Sequence, residues 1–340
     1  MNFKVYIGNP PYQHGNRSIY QEFIRQAYSV GADYACLIVN NNWIEGNTHK
    51  KTREFLINNG LHTIVNYNEP GEVFEGVHVA VSIVQYAPKG EHKENIRFIQ
   101  QGKEQTISVD ADYTIVFDDD NNKDSIGASI IENVLNREYC NTWELAKNAR
   151  IWSIASNGYH MYSNYTEDIY NWLEESDIKK LGYDNNKYIK VAFLNESKQM
   201  YFRYITRESL VHGHEYVDMY KVICGSKAQT TKNVISNIHI LQPGEICTNS
   251  FGIVGLAETK DKAEFMYKYT NTKFFRYLVL KAISGIKVSF GTGCTKYVPL
   301  ISEREIKEIE NLSIEELNEY FYRKYELTDV EIDTINKTVN

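Results

Sequence analysis

Short apolar runs alternate with helical repeats over the first 90 residues, and this alternation constrains the fold more than any other feature of the chain. Residues 3–8 and 34–39 have the length and composition of buried parallel strands, and apolar residues at helical spacing fill residues 18–30 between them. Two further strands are predicted at residues 63–67 and 77–86, joined by a loop short enough for antiparallel pairing. The pattern therefore predicts an open, mostly parallel α/β sheet, one half of a doubly wound sheet.

The character of the sequence changes after Gly90. We predict three domains: an α/β domain over residues 1–125, a mixed α+β domain over 140–300 and a helical module over 301–340. Two capping boxes support the helical module, Ser313 with Glu316 and Thr328 with Glu331.

Composition limits the class of protein. The formal net charge is −7, so nucleic-acid binding would need a local basic face rather than an overall basic chain. The five cysteines are scattered without a C-x-x-C pair, which favours neither a metal site nor a disulfide framework. No signal region and no apolar run of about 18 residues is found, so we expect a cytoplasmic protein that does not enter a membrane.

Asn9-Pro10-Pro11-Tyr12 follows the first predicted strand, at the carboxyl end where open α/β sheets bind ligands. The Asn9 side-chain oxygen and the Pro10 carbonyl can accept both protons of an exocyclic amino group, which frees the nitrogen lone pair for reaction. The two prolines hold these acceptors rigidly, and Tyr12 offers a ring for a planar base. A simple turn is the alternative, because asparagine and proline favour turns in any context.

The chain resembles the gamma-class adenine-specific (N6) DNA methyltransferases of restriction–modification systems, the TaqI-like and type IIG group. The segments that carry the resemblance are IGNPPYQ, SIYQEFIRQAYSV with ACLIVNNNWI, GEVFEGVHVAVSIVQY, TNTKFFRYLVLKAISGIKVSFGTGCTKYVPLI and SIEELNEYFYRKYELTDVEIDTIN. The resemblance implies the C-terminal half of a Rossmann-like methyltransferase sheet, then a mixed α+β target-recognition domain and a short helical tail.

The resemblance also implies chemistry. S-adenosylmethionine would donate a methyl group to N6 of an adenine flipped out of double-stranded DNA, with Asn9, Pro10, Pro11 and Tyr12 as catalytic residues. The base would stack on Tyr12 and on Phe74, although a phenylalanine before an apolar strand is otherwise a core residue.

The family's glycine-rich donor loop lies well upstream of Asn-Pro-Pro-Tyr, whereas only eight residues precede Asn9. The donor site is therefore incomplete in this chain, and we interpret SFGTGC (residues 289–294) as a turn of the recognition domain. The first strand should then form an apolar sheet edge, which a second chain with the donor-binding half, another part of this chain or a longer enzyme would cover. A restriction subunit is a further expected partner.

Two stretches, residues 187–232 and 260–296, combine an excess of basic over acidic residues with interleaved aromatics, the composition of a DNA-contacting face. The candidate DNA-binding residues are Arg203, Arg207, Lys227, Lys273, Arg276, Lys281, Lys287 and Lys296. A solvated face over a tyrosine-rich core is the alternative, and the aromatics of residues 273–276 suit a helix packed in a core.

Two other functions remain open. The chain could be a non-catalytic DNA-recognition subunit of a defence system, or an amino-methyltransferase of protein glutamine or RNA, since these enzymes share Asn-Pro-Pro-Tyr. The scattered histidines and Asp118-Asp119-Asp120 indicate no metal site.

Overall fold

The computed structural model describes residues 4–15, 17–45, 49–67, 73–74, 80–100, 102–108, 126–137, 147–148, 172–229, 231–283 and 287–340. The chain divides into two compact units. The first unit comprises Met1–Glu132 and Lys281–Val288, and the second comprises Asn133–Leu280 and Ser289–Asn340.

The first unit is built on a six-stranded sheet. Its strands are β1 (Val5–Gly8), β4 (Tyr34–Asn40), β5 (Leu61–Tyr67), β6 (Val81–Tyr86), β7 (Asn95–Gln100) and β8 (Lys103–Ser108), after a small hairpin of β2 (Gln13–His14) and β3 (Arg17–Ser18). Its helices are α1 (Tyr20–Ser29), α2 (Asn42–Glu45), α3 (Lys50–Asn58) and α4 (Ile126–Leu135), the last of which runs into the second unit. The strand order is β1-β4-β6-β5-β7-β8.

The sheet is mixed, whereas the sequence predicts a mostly parallel one, because three of its five strand pairings are antiparallel. β1 pairs with β4 in parallel and β5 with β7 in parallel, while β6 lies between β4 and β5 and is antiparallel to both. The antiparallel pairing of the last two predicted strands is thereby confirmed. The second of these strands begins at Val81.

One face of this sheet is buried, and buried side chains alternate with more exposed ones along its strands. Leu37 and Val39 of β4 are at most 1% exposed and join one apolar core with Ile24 of α1 and Leu56 of α3. The hydroxyl of Tyr86 donates to the Ile24 carbonyl and fastens α1 to β6. The buried face of the sheet and the apolar faces of α1 and α3 therefore pack into one core.

β1 forms an edge of the sheet among the described strands, as the sequence predicts. Val5 and Ile7 are 53% and 77% exposed there, and Tyr34 beside them on β4 is 60% exposed. Exposed apolar side chains on an edge strand with free backbone groups form a surface suited to pairing with another strand.

A buried amide ladder crosses the carboxyl ends of three strands. The Asn41 amide, directly after β4, donates to the Asn66 side chain of β5, and Asn66 Nδ2 donates to Gln100 Oε1 of β7 at 2.7 Å. All three residues are at most 5% exposed. Buried amides must be hydrogen-bonded to be tolerated, so the ladder fixes how these strand ends lie relative to one another.

Replacing the middle residue of the ladder tests this role. Asn66→Ala removes the hydrogen bonds that Asn66 makes with Asn41 and Gln100 at a buried site, and we expect a loss of about 1–3 kcal/mol in the free energy of unfolding. Urea unfolding measures it, with Asn95→Ala at an exposed position as the control. Equal stability of the two variants would show that the ladder contributes nothing.

The second unit contains two small sheets. One has the order β11 (Met200–Thr206), β10 (Tyr188–Leu194), β15 (Glu245–Cys247), and the other β14 (His239–Leu241), β12 (Tyr220–Gly225), β16 (Phe251–Ala257), β9 (Lys147–Asn148). Its helices are Glu175–Leu181, His214–Val217, Lys260–Asn271, Lys273–Ala282, Glu303–Ile309, Ile314–Lys324 and Asp329–Thr338, with 3-10 turns at Arg207–Ser209 and Thr292–Thr295. A short strand, β13 (Lys227–Gln229), also belongs to this unit, and β17 (Lys287–Ser289) spans the sequence boundary between the two units.

Aromatic side chains hold the last helices of this unit together. The Phe274 ring stacks on Phe321 and on Tyr325, with 5.2 Å between ring centroids in both pairs. Phe274 and Phe275 are fully buried, so the interpretation of this helix as a core element is confirmed. Both predicted capping boxes of the C-terminal helices are present.

Lys221 is a fully buried lysine in β12. Its ammonium donates to the carbonyls of Val217 and Met219 at 2.7 and 2.6 Å and so closes the short helix His214–Val217. Burial lowers the pKa of Lys221 from 10.5 to about 8. The unfolded chain binds this proton more tightly than the folded chain does.

This pKa shift predicts a pH dependence of stability. Between about pH 8 and pH 10.5 the unfolded state holds more protons at Lys221 than the folded state does. The free energy of unfolding therefore rises with pH in that window, and this increase is lost again as the pH falls to the folded-state pKa. Relative to Lys221→Met, the wild type should gain at most about 1.4 kcal/mol per pH unit there. Urea unfolding at pH 8, 9 and 10 measures the difference, and a flat difference would contradict the shift.

No helix in the described part of the chain is both long and apolar enough to cross a membrane.

Candidate functional site

The Asn9-Pro10-Pro11-Tyr12 segment lies where the sequence predicts, directly after β1. The last residue of β1, Gly8, pairs with Leu37 in the middle of β4, so the segment leaves the sheet beside the second half of β4. Asn9 and Pro11 are exposed and Pro10 is buried. The turn therefore presents the Asn9 side chain to solvent above a proline that packs into the protein.

Both expected acceptors of the turn are unengaged. Within the residues that the structure describes, neither the Asn9 side chain nor the Pro10 carbonyl has a hydrogen-bond partner. A turn that served only to reverse the chain would use such groups internally. The free acceptors can instead receive two N–H bonds from an incoming amino group.

Tyr12 anchors the turn to α1. Its carbonyl accepts from the Ile19 backbone amide at 3.2 Å and from the Ser18 hydroxyl at 3.5 Å. Its side chain is half-buried, and its hydroxyl oxygen is buried with no hydrogen-bond partner in the described part of the chain. Burial raises the pKa of Tyr12, which keeps the ring neutral.

A polar cluster packs around the start of α1, just after the turn. The rings of Tyr20 and His49 lie 6.1 Å apart, and Gln21 Nε2 is 2.5 Å from His49 Nδ1. Arg53, 5% exposed, donates to the Trp43 carbonyl at 2.9 Å. Burial, and next the charge of Arg53, lower the pKa of His49, so this imidazole is neutral near pH 7.

Sequence reasoning missed this cluster. Arg53 lies three residues before the buried Leu56 of the same helix, which is the one signal in the sequence that could have placed it on the buried face. The contacts of Gln21 with His49 join segments 28 residues apart and have no local signature.

Phe74 belongs to a described two-residue segment, Val73–Phe74, and its side chain is half-buried. A stacking role for Phe74 stays a prediction.

The described residues do not fit a complete donor site for S-adenosylmethionine. The ribose and methionine ends of such a donor need a strand and a glycine-rich turn beside β1, and β1 is an edge of the described sheet. SFGTGC leads into the 3-10 turn Thr292–Thr295 in the second unit, and its Phe290 is buried. Within the described ranges, no strand pairs with the outer side of β1.

Two of the candidate DNA-binding arginines carry carboxylate partners. Arg203 Nε donates to Glu174 Oε1 at 2.7 Å, and its guanidinium lies 5.7 Å from the centre of the Trp172 ring. Arg207 makes a bidentate pair with Asp218 at 3.0 and 2.5 Å and holds the pKa of that carboxyl below its usual range. These pairs organise β11 and its neighbours without DNA.

Arg276 has a different environment. Its Nη2 donates to Asn271 Oδ1 at 3.0 Å, but its buried Nε has no partner, and no carboxylate pairs with it among the described residues. Burial lowers the pKa of Arg276. A partly desolvated guanidinium without a counter-charge is suited to bind an anion such as a phosphate.

The candidate lysines are distributed over several elements. Lys227 is exposed and donates to Ser289 Oγ at 2.6 Å, which brings the two basic stretches of the sequence together. Lys273 donates to the Asn336 carbonyl at 3.3 Å, and Lys296 lies 5.0 Å from the centre of the Tyr297 ring. Lys281 is half-buried and belongs with the first unit, and the side chain of Lys287 lies outside the described residues. DNA contact by all eight candidates stays a prediction.

No group of three histidine, cysteine, aspartate or glutamate residues that could hold a metal ion is present in the described ranges. Asp118-Asp119-Asp120 lies outside those ranges.

The family of Eco57I restriction-modification methylases matches residues 1–74. The matched segment contains the whole Asn9–Tyr12 turn, the polar cluster around α1 and Phe74. The amino-terminal part of the chain is therefore similar to restriction–modification methylases. A comparison with curated proteins finds no match.

Among solved structures, the chain is similar to the type IIL restriction-modification enzyme MmeI in complex with DNA. The TM-score is 0.51 at 9% identity, over 99% of this chain and 55% of that chain. At that identity the likeness shows the fold alone, and it extends over both units.

Two further structures show smaller likenesses. A nuclease-deletion mutant of the type ISP enzyme LlaGI has a TM-score of 0.48 at 11% identity, over 93% of this chain and 41% of that chain. The M protein of the type I enzyme EcoKI has a TM-score of 0.25 at 15% identity, over 29% of this chain and 26% of that chain. The chain thus spans between about a quarter and about half of the lengths of the three proteins.

Proposed function

We propose that the chain is the base-binding and DNA-recognition part of an adenine-specific DNA methyltransferase of a restriction–modification system. The reaction is methyl transfer from S-adenosylmethionine to N6 of an adenine flipped out of the duplex. The observation that carries the proposal is the Asn9–Tyr12 turn, with two free acceptors at the carboxyl end of β1, inside the segment similar to restriction–modification methylases.

The turn supplies the acceptor side of the chemistry. Asn9 Oδ1 and the Pro10 carbonyl each accept one proton of the adenine amino group, which draws the nitrogen toward tetrahedral geometry and localises its lone pair. Pro10 and Pro11 restrict the backbone before reaction, so little ordering is needed when the base binds. Tyr12, held by Ile19 and Ser18, presents its ring for stacking.

The donor side requires residues beyond those described. We propose that a donor-binding half-sheet adds to the exposed edge of β1, where Val5 and Ile7 lie. A second polypeptide or another segment of the enzyme supplies it. Burying these two side chains and pairing the free backbone groups of β1 would both favour that assembly.

The second unit binds DNA in this proposal, with Arg276 as the first candidate for a phosphate contact. In this proposal, the ion pairs of Arg203 with Glu174 and of Arg207 with Asp218 stabilise the shape of the recognition surface.

Calorimetry with S-adenosylmethionine, with and without duplex DNA, tests the donor side. We expect no binding to the chain alone and binding once the donor half is added. Binding to the chain alone would place the donor site on residues outside those described. Folded protein that binds DNA but never the donor, even in the assembled enzyme, would contradict methyl transfer.

Asn9→Ala tests the acceptor side in the assembled enzyme. Loss of one amino-proton acceptor should lower methyl transfer at least about 100-fold, because the lone pair stays delocalised, while DNA affinity stays within about twofold. Transfer of labelled methyl groups to DNA measures activity. Gln13→Ala, which removes an exposed amide of β2 directly after the turn, is the control and should keep full activity. Retained activity of Asn9→Ala would remove Asn9 from the mechanism.

Arg276→Ala tests the DNA contact. The dependence of log affinity on log salt should become shallower by about 1, because one fewer phosphate is neutralised. Fluorescence anisotropy over a salt series measures this slope. Arg304→Ala, at a side chain 93% exposed on the helix Glu303–Ile309, should leave the slope unchanged. Equal slopes for both variants would exclude a phosphate contact by Arg276.

One observation favours a second function. The apolar edge of β1 and the incomplete donor site are also what a non-catalytic recognition subunit would show, if it had kept only the base-binding half-sheet. Such a subunit would bind DNA through the second unit and pass the Arg276 test, but no partner would restore donor binding.

A further inference from the structure

A cleft of about 440 Å³ opens on the first unit, away from the Asn9–Tyr12 turn. Its lining residues come from the beginnings of three parallel strands: Tyr34 starts β4, His62 is second in β5, and Asn95 starts β7. The turn follows the carboxyl end of β1, which is parallel to β4. The cleft and the turn therefore lie toward opposite edges of the sheet, since Val5 pairs with Tyr34 and Asn9 is about 13 Å further along the strand direction.

The cleft is basic in an acidic protein. The whole chain has 44 acidic residues and a net charge of −7, yet none of the nine lining residues is acidic. Three of them, His62, Lys93 and Arg97, carry basic side chains. Lys93 and Arg97 are permanently charged, and a site with two cations and no lining carboxylate attracts an anion.

The two permanent cations of the cleft, Lys93 and Arg97, differ in the partners that they have within the protein. Lys93 is exposed and forms no ion pair among the described residues. Arg97 binds Glu104 through Nε and Nη2 at 2.7 and 2.8 Å, which fixes the guanidinium and leaves its Nη1 donors for another acceptor. Glu104 stands on the neighbouring strand and orients Arg97 from outside the cleft.

Neutral hydrogen-bond donors complete the lining. Gln85, Asn95 and Thr106 can each donate to an oxyanion, and His62 is held by a 3.0 Å contact between its Nδ1 and Thr63 Oγ1. Burial, and after it the charges of Lys93 and Arg97, lower the pKa of His62. Tyr34, 60% exposed, places an aromatic ring at its border.

We propose that this cleft is a phosphate-binding site, separate from the base-binding turn, that takes the phosphate of a nucleotide. The volume accommodates one nucleotide, the cations and amide donors suit the phosphate oxygens, and the Tyr34 ring suits a base. The nucleotide is either free in solution or part of a DNA backbone, and the chemistry of recognition is the same for both. The site requires no methyl transfer and stands apart from the proposed function.

Calorimetry with adenosine 5′-monophosphate and with adenosine tests the free-nucleotide source. The monophosphate should bind and adenosine should not, because the phosphate supplies the recognised charge. Lys93→Gln removes one cation from an exposed position and should weaken binding of the monophosphate about fivefold. Lys89→Gln, an equal change at an exposed lysine that does not line the cleft, should alter affinity less than twofold.

A short DNA duplex tests the other source. If the monophosphate does not bind but Lys93→Gln weakens duplex binding and lowers its salt dependence more than Lys89→Gln does, the site holds a backbone phosphate. Adenosine that binds as tightly as the monophosphate would overturn the proposal. So would a wild type that binds neither phosphate ligand, or equal effects of the two lysine variants on both.

The Asn9→Ala variant separates this test from that of the proposed function. Its affinity for the monophosphate should equal that of the wild type, since Asn9 lies at the other edge of the sheet. Loss of methyl transfer with unchanged phosphate binding would leave the cleft assignment intact, and failed phosphate binding would leave the base-binding turn intact.

Discussion

The insertion of β6 between β4 and β5 is the constraint on which the first unit depends. Because β6 is antiparallel to both neighbours, β4, β5 and β7 all point the same way, and their carboxyl ends reach the same edge as that of β1. The amide ladder of Asn41, Asn66 and Gln100 then fixes these ends in a buried, hydrogen-bonded row. The Asn9–Tyr12 turn gains its position from this arrangement, since β4 is the one described strand that pairs with β1.

The carboxyl ends and the amino ends of the parallel strands form two edges of this sheet, and these two edges differ in chemistry. The carboxyl edge presents uncharged acceptors, Asn9 and the Pro10 carbonyl, which suit an amino group. The amino edge presents cations around an acid-free cleft, which suits an anion. In the two proposals, this sheet binds a base at one end of its strands and a phosphate at the other. Its outermost described strand, β1, exposes apolar side chains and is suited to pairing with an added strand.

Much of the fold was predictable from the sequence because its signals are local. Tyr34–Asn40 follows a continuous apolar run, Tyr20–Ser29 follows an apolar repeat of period 3.6, and the two C-terminal capping boxes follow a four-residue pattern. The location of the Asn9–Tyr12 turn followed from one strand and two prolines. The roles of basic residues did not follow, because a sequence stretch shows the charge of Arg203, Arg207 and Arg276 but not their partners. Glu174 and Asp218 reach two of them from 29 and 11 residues away.

The sequence by itself determined the strand–turn–helix at the amino terminus, the half-sheet, the helical tail and the apolar character of β1, since each depends on neighbours a few residues apart. Only the tertiary structure decided that, among the described residues, both acceptors of the turn have no partner and Arg276 has no counter-charge, and that His62, Lys93 and Arg97 share one cleft. The physical reason is that hydrogen-bond partners, burial and local potential depend on distances in space. Strand pairing sets those distances between residues that lie far apart in the chain.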